Sequence, residues 1–92
     1  MNSKRSWVLE IDSDIHKYLP KIPSSDAQKI LEAIELFVSN PFSGDIEKIK
    51  KEKYLWRRRI GSYRIFYEIY SVGKLVKVLW VERRTSKTYS KR

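Results

Sequence analysis

The sequence predicts an α+β domain in which a small, mainly antiparallel four-stranded sheet carries two N-terminal helices on one face. Three observations predict it. The chain has 92 residues, which is enough for one modest core. Apolar residues recur at helical spacing before residue 40, and three runs rich in aromatic and β-branched residues follow after residue 53. The predicted order is β-α-α-β-β-β, in a single domain that spans residues 1–92.

The first strand and the first helix follow each other closely. "SWVLEI" alternates Trp7, Leu9 and Ile11 with other residues, which is the period of a strand. "DSDIHKYL" then offers Asp12 or Ser13 as a helix N-cap, and Pro20 ends a short helix. The two aspartates of "DSD" are also a conceivable metal pair, but helix capping explains them more simply.

The second helix is predicted from about Asp26 to Ser39. Ser25 with Gln28 forms a possible capping box at its start, and Pro41 cannot continue the helix beyond its end. One face of this helix is apolar, with Ala27, Ile30, Leu31, Ile34, Phe37 and Val38.

The last three strands are predicted at 54–60, 63–70 and 75–82. The links "GS" and "SVGK" are short enough for hairpins, so these strands should form an antiparallel meander. In the first two, alternation sends Trp56, Ile60, Ile65 and Tyr67 towards the helices. The opposite face, left open, receives Arg57, Arg59 and Arg64.

Some side chains are harder to place by alternation. Arg58 falls on the side of Trp56, so we expect its stem to lie on the core at the strand edge and its guanidinium to reach water. The last strand is apolar on both sides, and its facing is therefore left open. Trp7, Trp56 and Trp80 each lie in an apolar strand pattern, which favours core positions over base stacking.

Charge divides the chain into two unlike halves. Residues 48–92 contain 15 Lys or Arg and 3 acidic residues, a balance of +12, whereas residues 1–47 contain 5 basic and 8 acidic residues, a balance of −3. Such a basic half suits a nucleic acid or a strongly acidic protein partner. Cysteine is absent, which excludes disulfides, thiol nucleophiles and cysteine-based metal sites. We expect no membrane segment and no secretory signal, and a cytoplasmic location.

The motif "LWRRRIGSYRIFYEI", followed by a hydrophobic strand and "RRTSKTY", resembles the signature of the RelE/ParE superfamily of toxins from type II toxin–antitoxin systems. The resemblance covers nearly the whole chain and agrees with the predicted fold. Two activities compete within this superfamily. RelE-like members cut messenger RNA in the ribosomal A site, whereas ParE-like members inhibit DNA gyrase without nuclease activity.

The resemblance implies a set of site residues. RelE-like nucleases carry an Arg near the end of the last strand and a Tyr six residues later, which match Arg83 and Tyr89. Their third-strand Arg matches Arg64, and one of two basic second-strand residues matches Arg57. The other falls on Leu55, so part of the expected proton-transfer machinery is missing or moved.

We therefore predict a metal-independent endoribonuclease without a cofactor or small-molecule ligand. Its catalytic residues are Arg57, Arg64, Arg83 and Tyr89, and the first three form a guanidinium cage for the phosphate. The predicted RNA-binding residues are Lys53, Arg59, Arg84 and Lys87.

The general base stays open between Tyr89 and a residue of the second predicted strand. A phenol has a pKa near ~10 that neighbouring cations lower, whereas arginine with a pKa above about 12 is a poor base. His16 lies on the first predicted helix, far in sequence from the basic half, and is expected to be a surface residue.

The resemblance also implies a cognate antitoxin that wraps the toxin, with acidic or amphipathic sequence to match the basic face, and a requirement for mRNA and the ribosome. Two alternatives to a nuclease function remain open. One is a ParE-like gyrase inhibitor. The other is a catalytically inactive RNA-binding relative, which Leu55 makes more credible.

Overall fold

The computed structural model describes residues 6–84. The strands are β1 (Val8–Ile11), β2 (Ile46–Lys48), β3 (Leu55–Ile60), β4 (Tyr63–Tyr70) and β5 (Leu75–Arg83). The helices are α1 (Ser13–Tyr18) and α2 (Ser24–Leu36), and a 3₁₀ turn at Leu19–Lys21 lies between them. The α+β class and the order of the predicted elements are confirmed.

The sheet has five strands in the order β1-β5-β4-β3-β2, so the prediction of four strands was wrong. The additional strand, β2, has three residues and too little alternation to be recognised in the sequence. It pairs antiparallel with β3. β1 pairs parallel with β5, because the chain crosses the sheet after α2 and then returns through the meander to the first strand.

Both helices cover one face of the sheet. Their apolar side chains meet those of β4 and β5, and Phe37 stacks on Tyr67 with ring centroids 4.2 Å apart. Trp56 and Ile60 pack against this core as predicted, as does Trp7. The fully buried side chains include Ile15, Ile30, Ile34, Ile65, Tyr67, Val76 and Val78.

The two helix starts differ from each other. Asp12 caps α1 through a 2.9 Å hydrogen bond that its Oδ1 accepts from the backbone N–H of Asp14, which agrees with the capping interpretation of "DSD". The capping box predicted at Ser25 does not form, because α2 already begins at Ser24 after Pro23 and has no side-chain cap. Leu31, predicted on the apolar face, is exposed.

Arg58 is covered by the loop before β2 and does not extend freely into water as expected. Its Nη1 donates a 3.2 Å hydrogen bond to the carbonyl of Ser43. Gly44 has a φ of +88°, and a Cβ added there would overlap the Arg58 guanidinium. The loop can cover this arginine because residue 44 has no side chain.

Tyr67 anchors the same loop from the core side. Its hydroxyl donates a 3.1 Å hydrogen bond to the carbonyl of Pro41, and both residues are fully buried. Burial raises the pKa of the Tyr67 hydroxyl well above its usual value, although the nearby Arg58 opposes the shift. The folded protein therefore retains this proton more strongly than the unfolded chain does.

We expect Tyr67→Phe to lower the free energy of unfolding at pH 7 by about 1–2 kcal/mol, because the buried Pro41 carbonyl loses its donor. Since the folded pKa is raised, the stabilisation is complete below pH ~10 and is lost as the pH rises through the folded value. The wild-type protein should thus lose stability above pH ~10 more steeply than the variant. Urea unfolding at pH 7, 9 and 10.5 measures both effects. Equal alkaline slopes would contradict the assignment.

Candidate functional site

The face of the sheet that points away from the helices, here called the open face, contains two adjacent rows of functional side chains. Residues paired across antiparallel strands point to the same side. Arg59 on β3, Arg64 on β4 and Glu82 on β5 are paired in this way and form the arginine row. The next row, the aromatic row, contains Arg57, Phe66 and Trp80. The prediction that Arg57, Arg59 and Arg64 share the open face is confirmed.

Arg59 and Arg64 are direct cross-strand partners of like charge, a pairing that is normally unfavourable. Within residues 6–84, the buried Nε atoms of both side chains have no hydrogen-bond partner. Glu82 forms a long ion pair with one of these two arginines: its Oε2 lies 4.0 Å from Arg64 Nη1. Because these Nε atoms are buried, an incoming anion would bind the Nη ends of the two guanidinium groups.

Arg57 is in a different state from these two. Glu47, its partner on β2, accepts a hydrogen bond from Arg57 Nη2 and forms an ion pair with it. The sequence did not reveal this partner because β2 itself was not recognised. Arg57 thus has a carboxylate within hydrogen-bond distance, whereas the acid of the arginine row, Glu82, lies 4.0 Å from Arg64.

Trp80 lies on the open face, so the prediction of a core position was wrong for this tryptophan. It stacks on Phe66 with ring centroids 4.5 Å apart and an interplanar angle of 11°, and 38 % of it is exposed. Its indole Nε1 donates a 3.2 Å hydrogen bond to Glu82 Oε1. This exposed aromatic surface lies beside three arginines, an arrangement suited to a nucleotide base and its phosphate.

A β-bulge in β5 explains the position of Trp80. Phe66 pairs with Trp80 but Tyr67 pairs with Val78, so Leu79 is an additional residue in β5. Strict alternation would place residues 78, 80 and 82 on one side. The additional residue instead leaves Val78 facing the helices and turns Trp80 and Glu82 to the open face.

The same bulge places Arg83 apart from the other arginines. Arg83 pairs with Tyr63, whose ring belongs to the helix-facing core, and its Cζ lies 6.0 Å from that ring centroid. The predicted cage of Arg57, Arg64 and Arg83 is therefore not assembled on one face. Burial and a 3.1 Å hydrogen bond to Asp26 raise the pKa of Tyr63.

Lys53, one of the predicted RNA-binding residues, lies near the other end of β4. Lys53 is exposed and lies on the rim of a pocket of about 360 Å³ that Phe42, Tyr54 and Tyr70 also line. A hydrogen bond from the Tyr70 hydroxyl to Glu68 raises the pKa of Tyr70 to about 12, so this phenol stays protonated at neutral pH.

Four further positions from the sequence predictions remain. Arg84 is exposed, and its backbone N–H donates a 2.6 Å hydrogen bond to the carbonyl of Ser62. Leu55 pairs with Glu68 on the open face, so no basic side chain occupies that position. Tyr89 and Lys87 lie outside the described residues.

Sequence comparisons agree with this architecture. Residues 8–87 match the family model of the ParE toxin of type II toxin–antitoxin systems, parDE. The chain belongs to this toxin family. A protein of Methanocaldococcus jannaschii named toxin RelE1 is 29 % identical over 79 residues, which cover 83 % of this chain and 88 % of that protein. The resemblance to the RelE/ParE superfamily is thereby confirmed, and the protein is a toxin of a toxin–antitoxin system.

Solved structures of RelE proteins have the same fold as this toxin. A chain of the archaeal RelE–RelB complex of Pyrococcus horikoshii superimposes on this toxin with a TM-score of 0.75 at 24 % identity, over 87 % of this chain and 97 % of that chain. RelE from the antitoxin–toxin complex of Methanococcus jannaschii gives a TM-score of 0.69 at 26 % identity, over 84 % and 92 % of the two chains. Within residues 6–84 of the toxin, neither helix is long and apolar enough to cross a membrane.

Proposed function

We propose that this toxin is an endoribonuclease that cleaves mRNA in the ribosomal A site. The observation that carries the proposal is the arginine row: Arg59 and Arg64 face each other across β3 and β4 with no carboxylate of residues 6–84 within hydrogen-bond distance, beside an exposed stacked tryptophan. A phosphodiester and its adjacent base would satisfy both features together. The curated relative and the solved structures named RelE favour the nuclease branch of the superfamily.

The proposed reaction is an attack of the 2′-hydroxyl on the adjacent phosphorus. Arg59 and Arg64 bind the non-bridging oxygens and stabilise the negative charge that develops on them, a role suited to the planar guanidinium fork. Arg57 contributes from the next row once RNA competes with Glu47 for its donors. The base next to the cleaved bond stacks on Trp80.

Arg83, at the end of β5, contacts the RNA, and Arg84 after it binds a neighbouring phosphate. Tyr89 and Lys87 keep the catalytic and RNA-binding roles predicted for them from the sequence. Lys53 contacts RNA farther along the message, since it lies at the opposite end of β4 from Arg64. A substrate held in an attack-ready shape by the ribosome would supply much of the rate through positioning.

The partner proposed for this toxin is a cognate antitoxin. The related RelE proteins of P. horikoshii and M. jannaschii were solved in complexes with RelB. The balance of +12 over residues 48–92 favours an antitoxin segment with acidic residues. Because the proposed substrate is mRNA on the ribosome, the proposed location of the toxin is the cytoplasm.

A second candidate function is inhibition of DNA gyrase without nuclease activity. The observation that favours it is the family model, which describes ParE toxins. Leu55 agrees with this candidate, because it removes a basic residue that RelE-like nucleases carry on this strand. An inactive RNA-binding relative is compatible with the same departure.

One set of assays separates these functions. Purified toxin is incubated with mRNA on programmed ribosomes, with free RNA, and with gyrase and supercoiled plasmid. We expect cleavage of ribosome-bound message, and loss of that cleavage in Arg83→Ala and Tyr89→Phe. Cleavage that survives in both variants would overturn the roles of these two residues. Gyrase inhibition without RNA cleavage would overturn the proposed function.

A further inference from the structure

Glu82 is a carboxylate at the β5 end of the arginine row, and among residues 6–84 its Oε2 has no hydrogen-bond partner. Its Oε1 accepts the indole N–H of Trp80 at 3.2 Å, and its Oε2 lies 4.0 Å from Arg64 Nη1, beyond hydrogen-bond distance. About half of the side chain is exposed on the open face. The bulge in β5 brings it there, next to the side chains that would bind the phosphate and the base.

We propose that Glu82 is the general base of the cleavage reaction, an inference that rests on the proposed function. A phosphate bound between Arg59 and Arg64 with its base on Trp80 brings the ribose against the free Oε2 of Glu82. The sequence left the base open between Tyr89 and a residue of the second predicted strand, and the geometry transfers this role to β5.

The other carboxylates of the open face are less suited to this role. Glu10 lies on the edge strand β1, where it pairs with Lys77 away from the arginine row. Glu47 is in direct contact with Arg57 on the edge strand β2. Glu68 accepts a 2.6 Å hydrogen bond from the Tyr70 hydroxyl and pairs with Lys77, farther along β4 than Arg64. Among these four carboxylates, and within residues 6–84, Glu82 alone has an oxygen without a hydrogen-bond partner and lies beside a member of each row.

The proton and bond changes balance without a metal or a redox partner. Glu82 takes the proton of the 2′-hydroxyl, the 2′-oxygen forms a bond to phosphorus, and the bond from phosphorus to the 5′-oxygen breaks. The leaving 5′-oxygen takes a proton from water or from a neighbouring acid. The products are a 2′,3′-cyclic phosphate and a 5′-hydroxyl, and Glu82 returns its proton to solvent.

Charged and titratable groups lie near Glu82 on several elements. Arg64 faces it from β4, with Arg59 behind on β3, and Arg83 follows it in the chain. From α1, the Tyr18 hydroxyl lies within the electrostatic range of Glu82 and Arg83. Arg59 and Arg64 are therefore the two positive charges that share the open face with Glu82, whereas Arg83 points to the opposite face.

The test compares Glu82→Gln, Glu82→Asp and the control Glu68→Gln under single-turnover conditions on programmed ribosomes from pH 5 to 9. We expect Glu82→Gln to lower kcat about 10²- to 10³-fold. Binding of a 2′-deoxy-substituted RNA should be unchanged or tighter, because a negative charge beside the phosphate is lost. Glu68→Gln should retain wild-type kcat.

The pH profile separates a base from a residue that merely positions Arg64. If Glu82 is the base, the acid limb of kcat is present in wild type and Glu82→Asp and absent in Glu82→Gln. A higher KM in Glu82→Gln with an unchanged acid limb would overturn the proposal. Wild-type kcat in Glu82→Gln would overturn it too, while the proposed nuclease would stand. If wild-type toxin cleaves no RNA, the function itself fails, and the inference fails with it.

Discussion

Arg64→Ala is expected to lower kcat for RNA cleavage about 10²- to 10³-fold without destabilising the fold. The size of the loss is that of removing one preorganised donor from a developing oxyanion. Arg64 is the central member of the arginine row, paired with Arg59 on one side and Glu82 on the other. Its removal leaves Arg59 as the one arginine of this row to bind the phosphate and separates Glu82 from the bound anion.

The free energy of unfolding of Arg64→Ala, in contrast to its kcat, should change little. Arg59 and Arg64 repel each other across the strand pair, and the 4.0 Å contact of Arg64 with Glu82 is too long to compensate fully. We therefore expect the free energy of unfolding of Arg64→Ala to be within about 1 kcal/mol of wild type or slightly higher. Urea unfolding measures this quantity on the preparation used for the cleavage assay.

Two further variants separate charge from geometry. Arg64→Lys keeps the positive charge but loses the fork that binds two oxygens, so its kcat should lie between those of wild type and Arg64→Ala. Lys29→Ala removes one positive charge from the exposed side of α2, on the other face of the sheet, and should leave cleavage unchanged. Equal losses in Lys29→Ala and Arg64→Ala would show that net charge, and not this phosphate site, controls the rate.

Trp80→Ala is expected to weaken RNA binding by about 1–3 kcal/mol, which is roughly 5- to 150-fold in Kd, because a base loses its stacking surface. The effect should appear mainly in KM, since Trp80 binds the base next to the reacting phosphate and does not transfer a proton. Binding of a 2′-deoxy-substituted RNA, measured by fluorescence anisotropy, gives Kd without cleavage.

The control for this prediction is Trp80→Phe, which keeps an aromatic ring against Phe66 and should retain most of the affinity. RNA should also quench tryptophan fluorescence in wild type, and this quenching should vanish in Trp80→Phe, because Trp7 and Trp56 pack against the core. An unchanged Kd in Trp80→Ala would mean that the stacked pair only covers the open face.

Much of the architecture was accessible from the sequence because local patterns determine it. The alternation of Trp56, Arg57, Ile60 and Arg59 assigned both faces of β3 correctly, since a strand has a fixed period of two. The spacing of apolar residues located α2, and Asp12 identified the start of α1. The three-residue strand β2 was missed because its pairing with β3, and not its own composition, makes it a strand.

The sequence by itself determined the fold class, the order of most elements, the basic half and the facing of Arg57, Arg59 and Arg64. Tertiary structure decided which other residues join them. One additional residue in β5 turns Trp80 and Glu82 to the open face and Arg83 away from it. Such a bulge depends on pairing with β4, and β5 is apolar on both sides, so no local pattern reveals its register. The composition of the candidate site is therefore a property of the assembled sheet.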